Sequence, residues 1–204
     1  MKIDIIRILT TEEIAAVLAD VNQRAKWLHL TIFRLSCCCG LRRSEISGVC
    51  IDDFELVGPR PHIKVSRDIA KGRVQRRVPL WWDSGTLSDL KDWYDSRLIQ
   101  TEGETDHPFI CSARKGFKGA PLSGDKIAKH WDRTISRVLG WQRAKQLSIH
   151  CGRHSFVTHS LHGGRSLAEV RDAAGHSNVA TTNAYLHAID SDVPDIFQQW
   201  EDDE

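Results

Sequence analysis

The chain has 204 residues, with 28 Lys and Arg against 27 Asp and Glu and six cysteines, enough for one domain that buries its own core without disulfide support. No apolar run approaches the roughly 20 residues of a bilayer-spanning helix, and Met1-Lys2-Ile3-Asp4 lacks the character of a secretory leader, so membrane-embedded and secreted classes are set aside and a cytoplasmic, reducing setting is expected. Three of the cysteines are consecutive (Cys37, Cys38, Cys39) and none forms a CxxC pair; small buried hydrophobes are expected rather than a zinc site or a disulfide framework.

The elements follow in chain order. Thr10-Thr11-Glu12-Glu13 reads as a capping box with Ile14, Val17 and Leu18 behind it, predicting a helix near 11–20. Lys26 to Cys39 is apolar without a breaker until Gly40, which suits a buried helix ended by glycine. A short helix is expected to begin near Arg43. His62-Ile63-Lys64-Val65 and Val74-Gln75-Arg76-Arg77-Val78 flank Ala70-Lys71-Gly72-Arg73, a hairpin signal. Ser84–Leu98 and Ser123–Leu139 read as helices joined by a loop containing Pro108, Gly116, Gly119 and Pro121, and Ser166-Leu167-Ala168-Glu169 is a second capping box. The expected class is α+β, mainly helical, with one small antiparallel sheet.

Charge is uneven along this frame. Asp190, Asp192, Asp195, Glu201, Asp202, Asp203 and Glu204 place seven acids and no base in the last fifteen residues, leaving 28 bases against 20 acids in the body. Bases concentrate between Arg60 and Arg77 and between Arg114 and Lys145, as they would for a polyanionic partner. The expected division is a main unit over 1–189 and an acidic tail over 190–204, whose Val193, Ile196, Phe197 and Trp200 make a short amphipathic pattern suited to docking on another protomer.

Reactive residues cluster in three strings: Gly40-Leu41-Arg42-Arg43-Ser44-Glu45, Ile149-His150-Cys151-Gly152-Arg153-His154, and Gly175-His176-Ser177 followed by Tyr185, nine positions after His176. With Lys71 in the hairpin connection, these resemble the tyrosine recombinase, or phage integrase, family, whose motifs are G-L-R-x-S-E, a hairpin lysine, H-x-x-R-H and G-H-S with a tyrosine nine residues after its histidine. All occur here in family order, and the resemblance spans about Leu9 to Ala188.

The resemblance implies an integrase-type catalytic domain with a small three-stranded antiparallel sheet that cleaves and rejoins DNA through a 3′-phosphotyrosyl bond on Tyr185. Arg42 and Arg153 would clamp the scissile phosphate, a task suited to paired, permanently charged donors. His176 would add a hydrogen bond to the same oxygens, Lys71 would protonate the leaving 5′-oxygen, His150 would assist proton transfer from the phenol, and Glu45 would orient its neighbours. The scheme asks for no cofactor, metal or ATP. Arg43 is then a DNA or solvent contact, and His154, His159 and His162 are structural or surface residues.

The family's arrangement also implies double-stranded DNA as partner and a homotetramer on DNA, with a monomer in isolation. A type IB topoisomerase-like relaxation of DNA would use the same residues. A non-catalytic DNA-binding accessory protein would be expected to have lost one of them, and none is lost. Family members usually carry an N-terminal helical domain that closes around DNA; since the match starts near Leu9, that domain is expected to be absent. The string Ile149 to His154 departs from the common pattern in having Gly152 where a leucine usually packs, which is expected to loosen the helix start.

Overall fold

The computed structural model describes residues 5–70, 74–114, 116, 118–176, 182 and 185. Lys71 and the acidic tail from Asp190 therefore lie outside the described residues.

The first predicted helix is α1 (Thr11–Gln23), with the capping box intact: the Thr10 side chain accepts from the Glu13 backbone N–H, and Glu13 accepts from that of Thr10. Its Ile14, Val17 and Val21 are buried against α5 (Gly124–Ala144) and α2 (Trp27–Phe33). The apolar run of the second helix divides. It starts as α2 and continues as a wide π turn over Arg34–Cys38, closed by the Cys39 N–H on the Arg34 carbonyl at 3.0 Å. Such turns recur at functional sites, and here the wide turn leads directly into Gly40 and Arg42. Ser36 within it donates to the Ile149 carbonyl at 2.9 Å, joining it to α6 (Ile149–His162).

After α3 (Arg43–Gly48) come β1 (Phe54–Glu55), β2 (His62–Val65) and β3 (Arg76–Pro79), an antiparallel sheet in that order. In its register Lys64 faces Arg77 and Ile63 faces Val78. The period-two alternation turns Ile63, Val65 and Val78 inward, and Arg76 with them. Then follow α4 (Ser84–Gln100), α5, α6 and α7 (Leu167–Ala174). The long α5 is interrupted at Gly140 (φ 80°, ψ 160°), just past the predicted helix end. The second capping box heads α7, with Ser166 accepting from Glu169. That helix closes on left-handed Gly175, whose N–H donates to Arg171 O at 2.8 Å.

The buried residues form two clusters with α6 between them. The larger joins α1, α2, the sheet and α5 through residues such as Val17, Phe33, Val65 and Trp131. The smaller holds Trp82, Phe156, Val157, Val170, Ala174 and Tyr185. All six cysteines are unpaired, and all but half-buried Cys50 are buried. Among the described residues no helix is long and apolar enough to cross a membrane.

Candidate active site

The site begins at Gly40. Its φ is +64°, and a Cβ there would lie 2.3 Å from Cδ1 of Phe156, so glycine is required both by conformation and by space. The chain leaves this turn extended at Arg42 (φ −72°, ψ 154°), the residue that caps α3. The Glu45 carboxylate, fully buried one turn later, takes the Arg42 backbone N–H at 2.7 Å and its Nη1 at 2.8 Å.

Three guanidiniums from three elements then converge on the end of α7. Arg42 Nη2 donates to the Gly175 carbonyl at 3.1 Å. Arg153, from α6, donates through Nη2 to the Ala174 carbonyl and through Nη1 to the Gly40 carbonyl at 2.7 Å. Arg76, from β3, donates through Nε to the Ala173 carbonyl at 3.0 Å and grips both Glu45 oxygens, at 2.9 and 2.7 Å. The last carbonyls of a helix lack intrahelical partners and carry partial negative charge, which makes this end a natural seat for cations.

His176 follows Gly175 directly, and its Nδ1 is 2.9 Å from the Thr182 hydroxyl. Its ring lies nearly parallel to that of Tyr185 (15°), with centroids 6.3 Å apart. Tyr185, itself buried, also shares a 2.5 Å hydrogen bond between its hydroxyl and Nδ1 of His154.

Among the described residues, the electrostatics are those of a site short of negative charge. Burial pushes the Glu45 carboxyl up, but the hydrogen bonds and charge of Arg76, with those of Arg42, outweigh it and hold it at about 2. With that one carboxylate facing three guanidiniums, burial followed by the charge of Arg42 brings Arg153 down to about 9. His176 falls to about 3 through burial and the charges of Arg153 and Arg42. Burial lowers His154 as well, assisted by His150 and Arg153. It pushes the Tyr185 phenol up to about 12, with Arg153 opposing. An anion placed against Arg42 and Arg153 would relieve most of this imbalance.

The structure thus brings together Arg42, Glu45, Arg153, His176 and Tyr185. His150 is exposed in the first turn of α6, one turn from His154. His154, expected from the sequence to be structural or a surface residue, instead touches the Tyr185 hydroxyl. His159 takes a purely structural contact, its Nε2 being 2.8 Å from the Leu9 carbonyl. Arg76 carries no motif signal at all. The one trace of it is an arginine two positions before Val78, on the inward face of the β3 alternation. Gly152 also has a cause: a Cβ there would fall 2.2 Å from Ser36 Oγ and 3.0 Å from Trp131, so the room a leucine would need is filled by the π turn and α5.

Residues 7–191 match the model of the phage integrase family. The chain is 32% identical over 165 residues to a tyrosine recombinase XerC of Chlorobaculum tepidum, covering 78% of this chain and 45% of that protein. It is 28% identical over 187 residues to XerC of Chlorobaculum parvum, covering 89% and 51%. The chain therefore spans about half the length of these curated relatives. Among solved structures, XerA recombinase superposes with a TM-score of 0.69 at 20% identity (88% of this chain, 58% of that one). XerH bound to its palindromic difH substrate, in a post-cleavage complex, gives 0.69 at 24% (89% and 49%). A lambda integrase dimer bound to a core site gives 0.60 at 15% (97% and 62%). These likenesses bear on the fold, which is that of recombinase catalytic domains.

Proposed function

The chain belongs to the phage integrase family, and from that premise we propose that it is the catalytic part of a site-specific DNA recombinase that cleaves and rejoins double-stranded DNA through Tyr185. One observation carries the reading: Arg42 and Arg153 meet at the end of α7, beside the Tyr185 ring, in a pocket where three guanidiniums face one carboxylate. A phosphodiester under attack gains a second negative charge on its non-bridging oxygens. Fixed cationic donors aimed at that charge lower the barrier without reorganising.

In the proposed step the Tyr185 oxygen forms a bond to phosphorus, the bond from phosphorus to the 5′-oxygen breaks, and a 3′-phosphotyrosyl linkage remains. The phenol proton has to leave, because a phenol with pKa about 10 is a weak nucleophile. His154 is its partner in the arrangement described, and His150 stands one turn away. Lys71, in the segment joining β2 and β3, delivers a proton to the departing 5′-oxygen. Arg42 and Arg153 hold the phosphate by trading carbonyl partners for phosphate oxygens, His176 adds a donor, and Glu45 keeps Arg42 in line. Rejoining runs the step backwards, so the energy of the broken bond is conserved in the adduct and neither ATP nor a metal is required. Assembly as a tetramer on two DNA sites belongs to the same proposal.

The test is covalent capture. A suicide duplex nicked just 3′ of the scissile phosphate, so that the short fragment bearing the new 5′-hydroxyl is lost on cleavage, should leave the wild-type chain joined to DNA, with the modified peptide containing Tyr185. Wild-type adduct yield from Tyr185→Phe would overturn the reading.

A further inference from the structure

Arg76 is buried, yet it is committed to partners at every nitrogen. Nη1 and Nη2 take the two Glu45 oxygens at 2.9 and 2.7 Å, and Nε takes the Ala173 carbonyl at 3.0 Å. Its side chain is only 6% exposed, whereas that of Arg42 keeps a partly exposed face. Its path is also prepared. A Cβ on Gly175 would fall 2.7 Å from Cδ of Arg76, and the left-handed φ of +67° at Gly175 suits a residue without one.

We infer that Arg76 is a positioning residue, which sets the phosphate-binding geometry by fixing Glu45, and through it Arg42, on one side and the C-terminal turn of α7, with His176 beyond it, on the other. The inference rests on the functional reading above, because it assumes that Arg42 and His176 face the reacting phosphate.

The physical case lies in the fork. A guanidinium matches a carboxylate with two parallel donors and retains a third at a fixed angle. Here the third reaches a helix end from a different part of the chain. Glu45 in turn holds both the backbone and the side chain of Arg42. A single rigid group thus spans β3, α3 and α7, the three elements whose mutual placement decides where Arg42 and His176 point. A lysine would keep the charge but could not hold two oxygens and a carbonyl in one plane. Glu45 would then have a free lone pair, Arg42 a second rotamer, and α7 one tether fewer.

The experiment uses the full chain as wild type, Arg76→Lys and Arg76→Gln, with Tyr185→Phe and Arg42→Ala as controls. The substrate is a pool of nicked suicide duplexes randomised across the core, scored for covalent adduct, with affinity for a random-sequence duplex read separately by anisotropy. Arg76→Lys should lower the rate of adduct formation about 100-fold, the cost of misplacing groups around a reacting centre by about an ångström, while duplex affinity stays close to wild type and unfolding remains cooperative at a lower urea midpoint. The Arg42 side-chain and His176 ring resonances of the DNA-free protein should move in both Arg76 variants. Wild-type adduct rates in Arg76→Lys, equal losses of adduct and duplex affinity, or Arg42 and His176 resonances that stay in place would each overturn the inference. If the wild type forms no adduct, or Tyr185→Phe still forms it, the functional reading is the one that fails, and the resonances continue to report on Arg76 without it.

Discussion

The hydroxyl of Tyr185 lies 2.5 Å from Nδ1 of His154. The proposed nucleophile is therefore held and protonated when no DNA is present, by burial and by a histidine that burial itself keeps neutral. Nitration by tetranitromethane, which requires an accessible phenolate, should be slow at Tyr185 and faster after His154→Ala. Tyr94 provides the internal reference, being the chain's only other tyrosine. An unchanged nitration rate at Tyr185 would mean that something other than His154 shelters it.

Substituting Tyr185 by phenylalanine should abolish the covalent adduct while leaving the fold. The ring stays packed with Phe156 and Val170, and only the hydrogen bond to His154 is lost, a cost of about 0.5–1.5 kcal/mol. Urea unfolding should register that small loss. A much larger one would assign the hydroxyl a role in stability beyond this contact.

Glu45 should give the fold an acid-sensitive component. Its carboxyl is held at about 2 instead of 4.5, so the stabilisation is fully present above pH 4.5 and drains away as the pH falls toward 2. That shift amounts to about 3 kcal/mol at neutral pH. Wild type and Glu45→Gln should therefore differ strongly in urea unfolding at pH 7 and much less at pH 3. A gap of constant size would show that the carboxylate charge is not what these arginines stabilise.

Gly40 and Gly152 both resist a side chain, for different reasons. Gly40→Ala meets the Phe156 ring and a positive φ together, and should cost at least about 2 kcal/mol. Part of that should return in a Phe156→Leu background, where the ring is gone but the strain remains.

At Gly152 the backbone is helical, and in an exposed helix Gly→Ala would stabilise by about 1 kcal/mol. Here the added methyl meets Ser36 Oγ at 2.2 Å, so the sign should reverse and Gly152→Ala should lower the melting temperature. Removing the hydroxyl with Ser36→Ala should recover part of the loss. A stabilised Gly152→Ala protein would show that the π turn yields easily.

Much of this arrangement was legible in the sequence because the residues that meet at the site sit in short strings whose internal spacing is set locally. Arg42 and Glu45 are one helical turn apart, and Arg153 is fixed in α6. The capping boxes at Thr10 and Ser166 placed two helix starts for the same reason. What was not legible depends on contacts between distant segments. Arg76 looks like one more base in a basic hairpin until Glu45, 31 residues earlier, turns out to lie under it. His154 acquires its role only when Tyr185 arrives from 31 residues later. The glycine at 152 reads as a weakness of α6 until the π turn at Ser36 occupies the space beside it. Lys71 lies outside the described residues, so its place in the chemistry rests on its motif.

The seat of the three guanidiniums has a consequence in time. Arg42, Arg76 and Arg153 all precede in the chain the carbonyls of Ala173, Ala174 and Gly175 that receive them. On an emerging polypeptide the cations are made first, with Glu45 and the Gly40 carbonyl as the partners already present, while α7 and then Tyr185 follow later. Under the proposed function, a nascent chain would carry its phosphate-binding cations before its nucleophile, so an unfinished molecule would have no group with which to leave a break.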